Sequence, residues 1–410
     1  MDKVFKRISN LVDSYKQDVI DMQRSLVSRP ALGPENNGDG EYEKVEYIKQ
    51  LLKELGVDEI KEIHAPDKRV SAGYRPNILA RVAGRDRGKT IWIMAHTDVV
   101  PAGDLKLWNS DPFQLYVDGD KLIGRGVEDN HQGLVSALLA IKALKEAGVR
   151  PKYDIGLAIV ADEETGSKYG LQYLMEKHQQ EFKKEDLIIV PDAGDEKGRL
   201  IEVAEKSILW IKFHTVGKQC HASTPQLGIN AHRAAANLIV KLDELNNIFS
   251  AVDPVYDPPQ STFEPTKKET NVMNVNTIPG DDVFYLDCRV LPQYSLQEVE
   301  DKIKEMIGEI EKEYNVKIDI SYPQKNEAAP PTPEDAPVVV ALAKAIQDVK
   351  GEKAKVIGIG GGTVAAFFRE AGYPAAVWAT IEDTAHQPNE YSLISNTLSD
   401  AKVFAHVFLQ

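Results

Sequence analysis

IWIMAHTD (91–98) is an apolar run that closes on a histidine and an aspartate two residues apart. Runs of this composition read as buried strands of a parallel sheet. In open α/β sheets the carboxyl ends of such strands are where ligands bind. The pattern recurs in LAIVADEETGS (157–167), LIIVPDAGD (187–195) and AAVWATIEDTAH (375–386), and GRGVEDN (124–130) delivers an aspartate after two glycines. Five segments thus finish in histidine or carboxylate, and the arrangement points to a polynuclear metal site.

Outward from these segments, strands near 77–82, 90–95, 154–161 and 187–190 alternate with helical stretches such as 133–147 and 168–178. Two further helices precede them, one at the N-terminus and one over 42–55. Strands alternating with helices imply a mainly parallel sheet with helices on both faces. From 207 the order changes to strand 209–216, helix 230–246, strands 271–276 and 283–291, helix 295–314 and strand 317–322. That βαββαβ order suits a ferredoxin-like α+β layer. After PQKNEAAPPTPED (323–335) the β/α alternation resumes with helix 336–349, strand 355–359, helix 364–371 and strand 375–380. The expected fold is therefore an α/β domain, residues 1–206 and 323–410, carrying an inserted domain over 207–322.

The chain has 410 residues, more than one ordinary core accommodates. Its 49 basic against 63 acidic residues give a net charge of −14, which opposes nucleic acid and anionic membranes as partners. Two cysteines, Cys220 and Cys288, exclude a disulfide framework and a cysteine-rich zinc module. Any metal must be held by oxygen and nitrogen. The first residues have apolar positions at helical spacing and no continuous apolar core, so neither a signal peptide nor a membrane span is expected, and localisation is expected to be cytoplasmic.

Taken singly, each candidate has a bland alternative. In extended chain His96 and Asp98 point the same way, so Asp98 could orient a metal-ligating His96, or both could sit in an exposed turn. Asp129 follows Gly124 and Gly126, which let the backbone turn tightly, or it belongs to a surface loop before a helix. Adjacent Glu163 and Glu164 need something positive between or beside them; if one ligates metal, its neighbour is placed to act as a base. Asp192 serves equally as a helix N-cap, and His386 as a loop histidine. Convergence of two histidines and four carboxylates at the strand ends of one sheet favours the metal reading.

Together HTDVVP, GRGxxDxxxG, the DEE of ADEETGS, the aspartate after IIVP, GxxxHxxTP (217–225), NTIP with a later DxR (276–289) and HxxNE (386–390) resemble one known set. It is that of the co-catalytic dinuclear metallohydrolases that include acetylornithine deacetylase, succinyl-diaminopimelate desuccinylase, aminoacylase and glutamate carboxypeptidase. The resemblance spans almost the whole chain and implies the following. Asp129 bridges two divalent ions, His96 and Asp192 complete one site, and Glu164 and His386 complete the other. Zinc is the usual metal, with cobalt or manganese able to use the same ligands. Glu163 acts as general base toward a water shared by the metals, in hydrolysis of the amide of an N-acyl amino acid or short peptide with a free carboxylate. The inserted domain serves as lid and dimerisation domain, and His221 stabilises the oxyanion, often from a partner subunit, so a homodimer is expected.

Asn276 and Arg289 are the inserted domain's candidates for substrate binding; Arg289 could hold a carboxylate or pair with Asp287. GIGGGT (358–363) precedes a helix and lacks the third glycine of a dinucleotide fingerprint, so Gly361, Gly362 and Thr363 are expected to contact a substrate carboxylate. Many relatives have a lysine where His131 stands and an aspartate where Val364 stands, and the 129–130 peptide is cis in the family. Deacylase and dipeptidase or carboxypeptidase remain open. A catalytically silent binding relative would be marked by loss of a ligand or of the base, and the sequence shows no such loss.

Overall fold

The computed structural model describes residues 3–410. The chain divides into two compact units, one of residues up to Val203 with Thr332–Val356 and Phe367–Gln410, the other of Ala204–Pro331 with Ile357–Ala366. The second unit thus takes in the glycine-rich turn, which the sequence pattern had grouped with the first.

In the large sheet the spatial order is Glu59–Pro66, Tyr74–Val82, Tyr153–Val160, Asp86–His96, Leu187–Asp195, Ala375–Thr380, Leu200–Glu205 and Lys355–Ile359. The four central strands, from Tyr153–Val160 to Ala375–Thr380, pair in parallel, while Tyr74–Val82 and Glu59–Pro66 add on antiparallel. Their apolar residues are buried on both faces: Ile91, Trp92, Ile93 and Met94 in one strand and Ile188, Ile189 and Val190 in the next are all within 1% of full burial. Such strands cannot tolerate water on either side, which is why they read as continuous apolar runs. Trp92 stays buried because its indole N–H donates to Asp186 Oδ2 at 2.9 Å. The N-terminal helical pattern is two helices, Lys3–Asp13 and Lys16–Val27, separated at Ser14 and Tyr15; Met1 and Asp2 lie outside the described residues. No helix among the described residues is long and apolar enough to cross a membrane.

The second unit is built on a four-stranded antiparallel sheet ordered Thr262–Lys268, Asp281–Val290, Ser207–Val216, Lys317–Asn326. Helices Ala231–Leu242 and Leu296–Tyr314 contribute Leu238, Val299 and Ile303 to a core shared with Leu209, Phe213, Phe284 and Leu286 of the sheet. Phe213 and Phe284 face each other across neighbouring strands, with ring centroids 4.6 Å apart and planes within 4°. The long helix starts with a capping box between Ser295 and Glu298.

One strand was misplaced by the sequence pattern. The edge-side partner of Asp281–Val290 is Thr262–Lys268, within the stretch read as a proline-rich connection, whereas 271–276 is loop. Pro265 conceals the strand because proline has no N–H for the ladder, yet it is accommodated at a sheet edge, beside the register shift between Pro265 and Lys268. The apolar members of 271–276 that suggested a strand, Met273 and Val275, are 92% and 104% exposed and pack on nothing.

Candidate active site

Four central parallel strands deliver their carboxyl ends to one place. Asp86–His96 ends on His96, and Tyr153–Val160 leads into the 3-10 turn Glu163–Thr165. Leu187–Asp195 carries Asp192, and Ala375–Thr380 leads into the loop of His386. Asp129 comes from the loop before helix His131–Glu146. The peptide between Asp129 and Asn130 is cis.

Asp129 is the hub. Its Oδ1 lies 2.8 Å from His96 Nε2 and its Oδ2 lies 3.1 Å from His386 Nε2. His96 Nε2 is also 3.6 Å from Asp192 Oδ1, and His386 Nε2 is 3.1 Å from Glu164 Oε2. Two triads result, His96–Asp129–Asp192 and Asp129–Glu164–His386, each with donor atoms within 4.8 Å of one another and both using Asp129. His96 is 1% exposed, while the His386 side chain is 56% exposed, so the second triad reaches solvent through His386.

This much negative charge is not compensated within the protein. Burial disfavours charge on His96, but the carboxylates of Asp129, Asp192 and Asp98 outweigh it and hold the imidazole well above its ordinary range. Hydrogen bonds to Asp129 and Glu164 lift His386 to about 10. Burial, then the repulsion of Asp192, Asp98 and Asp129, pushes the Glu163 carboxyl well above its usual range, against the pull of His96. The carboxylate oxygen Glu164 Oε1 is buried with no hydrogen-bond partner, and an unpaired buried acceptor is expensive. Imidazole and carboxylate in this ratio are donors suited to zinc-type divalent ions, and the orphaned oxygen is accounted for by one.

Asp98 does more than the pairing with His96 expected of it. The His96 Nδ1 atom sits 3.1 Å from the main-chain oxygen of Asp98 and 3.6 Å from its carboxylate. The carboxylate also accepts the N–H groups of Glu163 and Glu164, at 3.0 Å each. Asp98 therefore fixes the turn that carries both glutamates.

Two residues not singled out from the sequence lock the remaining loops together. Glu128 accepts the N–H groups of Glu382 and Thr384 at 2.6 Å and of Ala385 at 3.2 Å, which holds the loop of His386. Reciprocally, Glu390 accepts the N–H groups of Gly126 and Glu128 at 3.0 Å and of Asp129 at 3.2 Å, and pairs with Arg125 Nη1 at 2.7 Å. Burial raises both acids, Glu390 to about 7. The signal was partly present: Glu390 closes the HxxNE motif and Glu128 precedes Asp129.

His131 is buried behind the site, its Nε2 2.9 Å from the Nζ of Lys44, itself 1% exposed. A Cβ on Gly126 would meet His131 Cε1 at 2.7 Å, and φ there is +86°, so glycine is required on both counts.

The other candidates lie in the second unit. His221 belongs to a two-residue bridge with Thr277 and Ile278, and its Nδ1 accepts the N–H of Ser223 at 3.1 Å. The proton is thereby left on Nε2, which makes that nitrogen a donor. Asn276 is exposed, and its main-chain oxygen accepts the N–H of Ala222 at 2.8 Å. Arg289 pairs with Asp287 through Nε at 2.7 Å and Nη2 at 3.0 Å, and donates from Nη1 to the oxygen of Gly360 at 2.8 Å. The Thr363 N–H donates to buried Glu205 at 2.9 Å, and the Thr363 hydroxyl donates to the same oxygen. A substrate carboxylate at Thr363 would have to displace Glu205, so the expectation of an anion contact falls on Gly361 and Gly362.

Over residues 92–410 the sequence matches the family described as peptidase family M20/M25/M40. An uncharacterized metallohydrolase of Methanocaldococcus jannaschii is 43% identical, over 95% of this chain and 98% of its own length. The succinyl-diaminopimelate desuccinylase of Wolbachia pipientis subsp. Culex pipiens is 25% identical, over 92% of this chain and 88% of its own. Among solved structures, human carnosine dipeptidase 1 superposes with a TM-score of 0.74 at 18% identity, covering 100% of this chain and 98% of that one. A likeness at that identity speaks to the fold.

Proposed function

The chain belongs to peptidase family M20/M25/M40, metal-dependent hydrolases of amide and peptide bonds, and on that footing we propose that it cleaves the amide of an N-acyl amino acid or short peptide bearing a free carboxylate. The observation that carries the proposal is the pair of triads sharing Asp129, with Glu163 beside Glu164 on a turn fixed by Asp98. His96, Asp129 and Asp192 would hold one ion and Asp129, Glu164 and His386 the other, zinc being the metal whose ligand preferences these donors meet. When bound, such ions lower the pKa of a shared water and polarise a carbonyl oxygen.

The remaining chemistry falls to the protein. Glu163 takes the proton from the attacking water and returns it to the leaving nitrogen, a role that its place beside Glu164 on the anchored turn supports. His221, a donor at Nε2, stabilises the oxyanion. Asn276, Arg289 and the turn of Gly361, Gly362 and Thr363 receive the substrate, the free carboxylate falling to Arg289 and the two glycines. The second unit acts as a lid and as the contact of a homodimer through which His221 is shared, and the enzyme is cytoplasmic. The desuccinylase relative supports an N-acyl diamino acid as the first substrate to try.

The experiment is hydrolysis of N-succinyl-diaminopimelate, N-acetylornithine and a set of dipeptides by zinc-loaded protein, with sedimentation at assay concentration. Cleavage of an N-acyl substrate with no dipeptidase activity assigns a deacylase, and the reverse a peptidase. No cleavage of any member by zinc-, cobalt- or manganese-loaded protein removes the substrate class. An active monomer removes the shared His221.

A further inference from the structure

The turn that carries Glu163 is anchored from two sides by buried acids. Asp98 accepts the N–H groups of Glu163 and Glu164, and the N–H of Asp162 is accepted by Glu41 Oε1 at 3.2 Å. Three successive main-chain donors therefore end on carboxylates and none on another peptide oxygen. Asp162 has φ 62°, a left-handed conformation unfavourable for a residue with a side chain. It persists only where its surroundings over-determine it. Its own carboxylate accepts the Thr165 hydroxyl and, at 3.0 Å, the Tyr169 N–H.

Glu41 stands immediately before helix Tyr42–Glu54 and is fully buried. Arg75, also fully buried, donates from Nε to its Oε2 at 2.6 Å and from Nη2 to its Oε1. The fork of Arg75 continues to the turn, with Nη1 3.5 Å from Asp162 Oδ1. Neither residue reaches the metal triads. A buried ion pair is weak evidence for stability, since apolar residues of similar volume often replace one without loss. What such replacement would remove here is the anchor of Asp162.

We propose that Glu41 and Arg75 form a positioning pair that sets the Asp162–Glu163–Glu164 turn so that Glu163 meets its proton. The proposal rests on Glu163 as the base. Reacting groups misplaced by about 1 Å lose on the order of 10²-fold in rate, so a small rotation of this turn is enough.

The test is the double variant Glu41→Met with Arg75→Met in the zinc-loaded protein. Its readouts are thermal stability, zinc affinity by chelator competition, kcat and KM, and hydrogen exchange of the peptide spanning 160–166. The expected result is a folded protein with KM kept, zinc binding weakened only at the site that uses Glu164, kcat at saturating zinc lower by roughly 10- to 100-fold, and faster exchange at 162–164. Unchanged kcat and exchange overturn the proposal, as does a fall in kcat that saturating zinc restores in full. Should the double variant fail to fold, Arg75→Lys, which keeps the buried charge but loses the fork that holds Glu41 and reaches Asp162, decides in the same way, with faster exchange and lower kcat expected. Glu163→Gln run alongside keeps the two claims apart. If it retains full turnover the base assignment falls, and exchange at 162–164 still reports whether the pair holds the turn.

Discussion

Replacing Glu128 by glutamine should weaken one metal site and spare the other. Glu128 Oε1 accepts the N–H groups of Thr384 and Ala385 and the Thr384 hydroxyl, while Oε2 accepts the Glu382 N–H at 2.6 Å. A glutamine keeps one oxygen, which goes to the side with three donors. Its NH₂ then faces the Glu382 N–H, donor against donor. Losing a hydrogen bond to a charged acceptor costs about 1.5 to 3 kcal/mol, and at about 1.4 kcal/mol per factor of ten this is roughly ten- to hundredfold in affinity. The loss falls on the His386 loop, whose N–H groups at 382, 384 and 385 are the ones Glu128 accepts, and the main-chain groups that Glu390 grips on the other side are unchanged by the substitution. Zinc titration against a competing chelator should show two tight sites in the parent chain and one site weakened by that factor in the variant. Equal weakening at both sites, or none, would refute the loop-by-loop account of the metal centre.

The remaining predictions are more direct. Glu163→Gln should lower kcat by about 10² to 10⁴ with zinc content unchanged, and retained turnover removes Glu163 from proton transfer. His221→Ala should lower kcat by roughly 10² to 10³ without altering zinc binding; an unaffected rate means the oxyanion is held by other groups. Burial drives the Lys44 ammonium down to about 7, against the attraction of Asp98, Glu41, Glu390 and Glu164. The unfolded chain therefore takes up a proton there near 10.5 that the folded chain declines, so Lys44 weakens the fold increasingly as pH falls from 10.5 to 7, and fully below 7. Lys44→Met should accordingly melt higher than the parent chain at pH 7, with the gain closing as pH nears 10.5; a variant destabilised alike at every pH contradicts this. Phe213→Ala, which strips a fully buried ring from its stack on Phe284, should destabilise the second unit by about 3 to 5 kcal/mol in denaturant unfolding, and a loss below about 1 kcal/mol would mean the core refills.

The central strands were legible because burial on both faces leaves an unbroken apolar signature, and the site because each strand ends on a residue that has no business in an apolar layer. What stayed hidden was the layer of charge behind the site. Glu41 and Lys44 lie at the start of an amphipathic helix whose acids Glu43, Glu46 and Glu54 do face solvent, and Arg75 sits in a strand beside Tyr74. A buried charge and a solvated one have the same letter, and only three-dimensional pairing separates them. Asp98 was found through its spacing of two from His96, whose Nδ1 lies 3.6 Å from its carboxylate, while its second task, holding amides 65 and 66 residues away in sequence, leaves no local signal. The edge strand Thr262–Lys268 was lost to a proline that edge strands tolerate and central ones do not.

The central claim is that Asp129 joins two metal sites that together support amide hydrolysis. The measurement that tests it most directly is metal content of the purified protein, taken with hydrolysis of the N-acyl and dipeptide panel before and after chelation and again after zinc is restored. The account predicts about two ions per chain, cleavage that disappears with the chelator, and recovery only as the second equivalent returns. A chain that takes up no more than one ion, or one that cleaves its substrate with the metal removed, would contradict it.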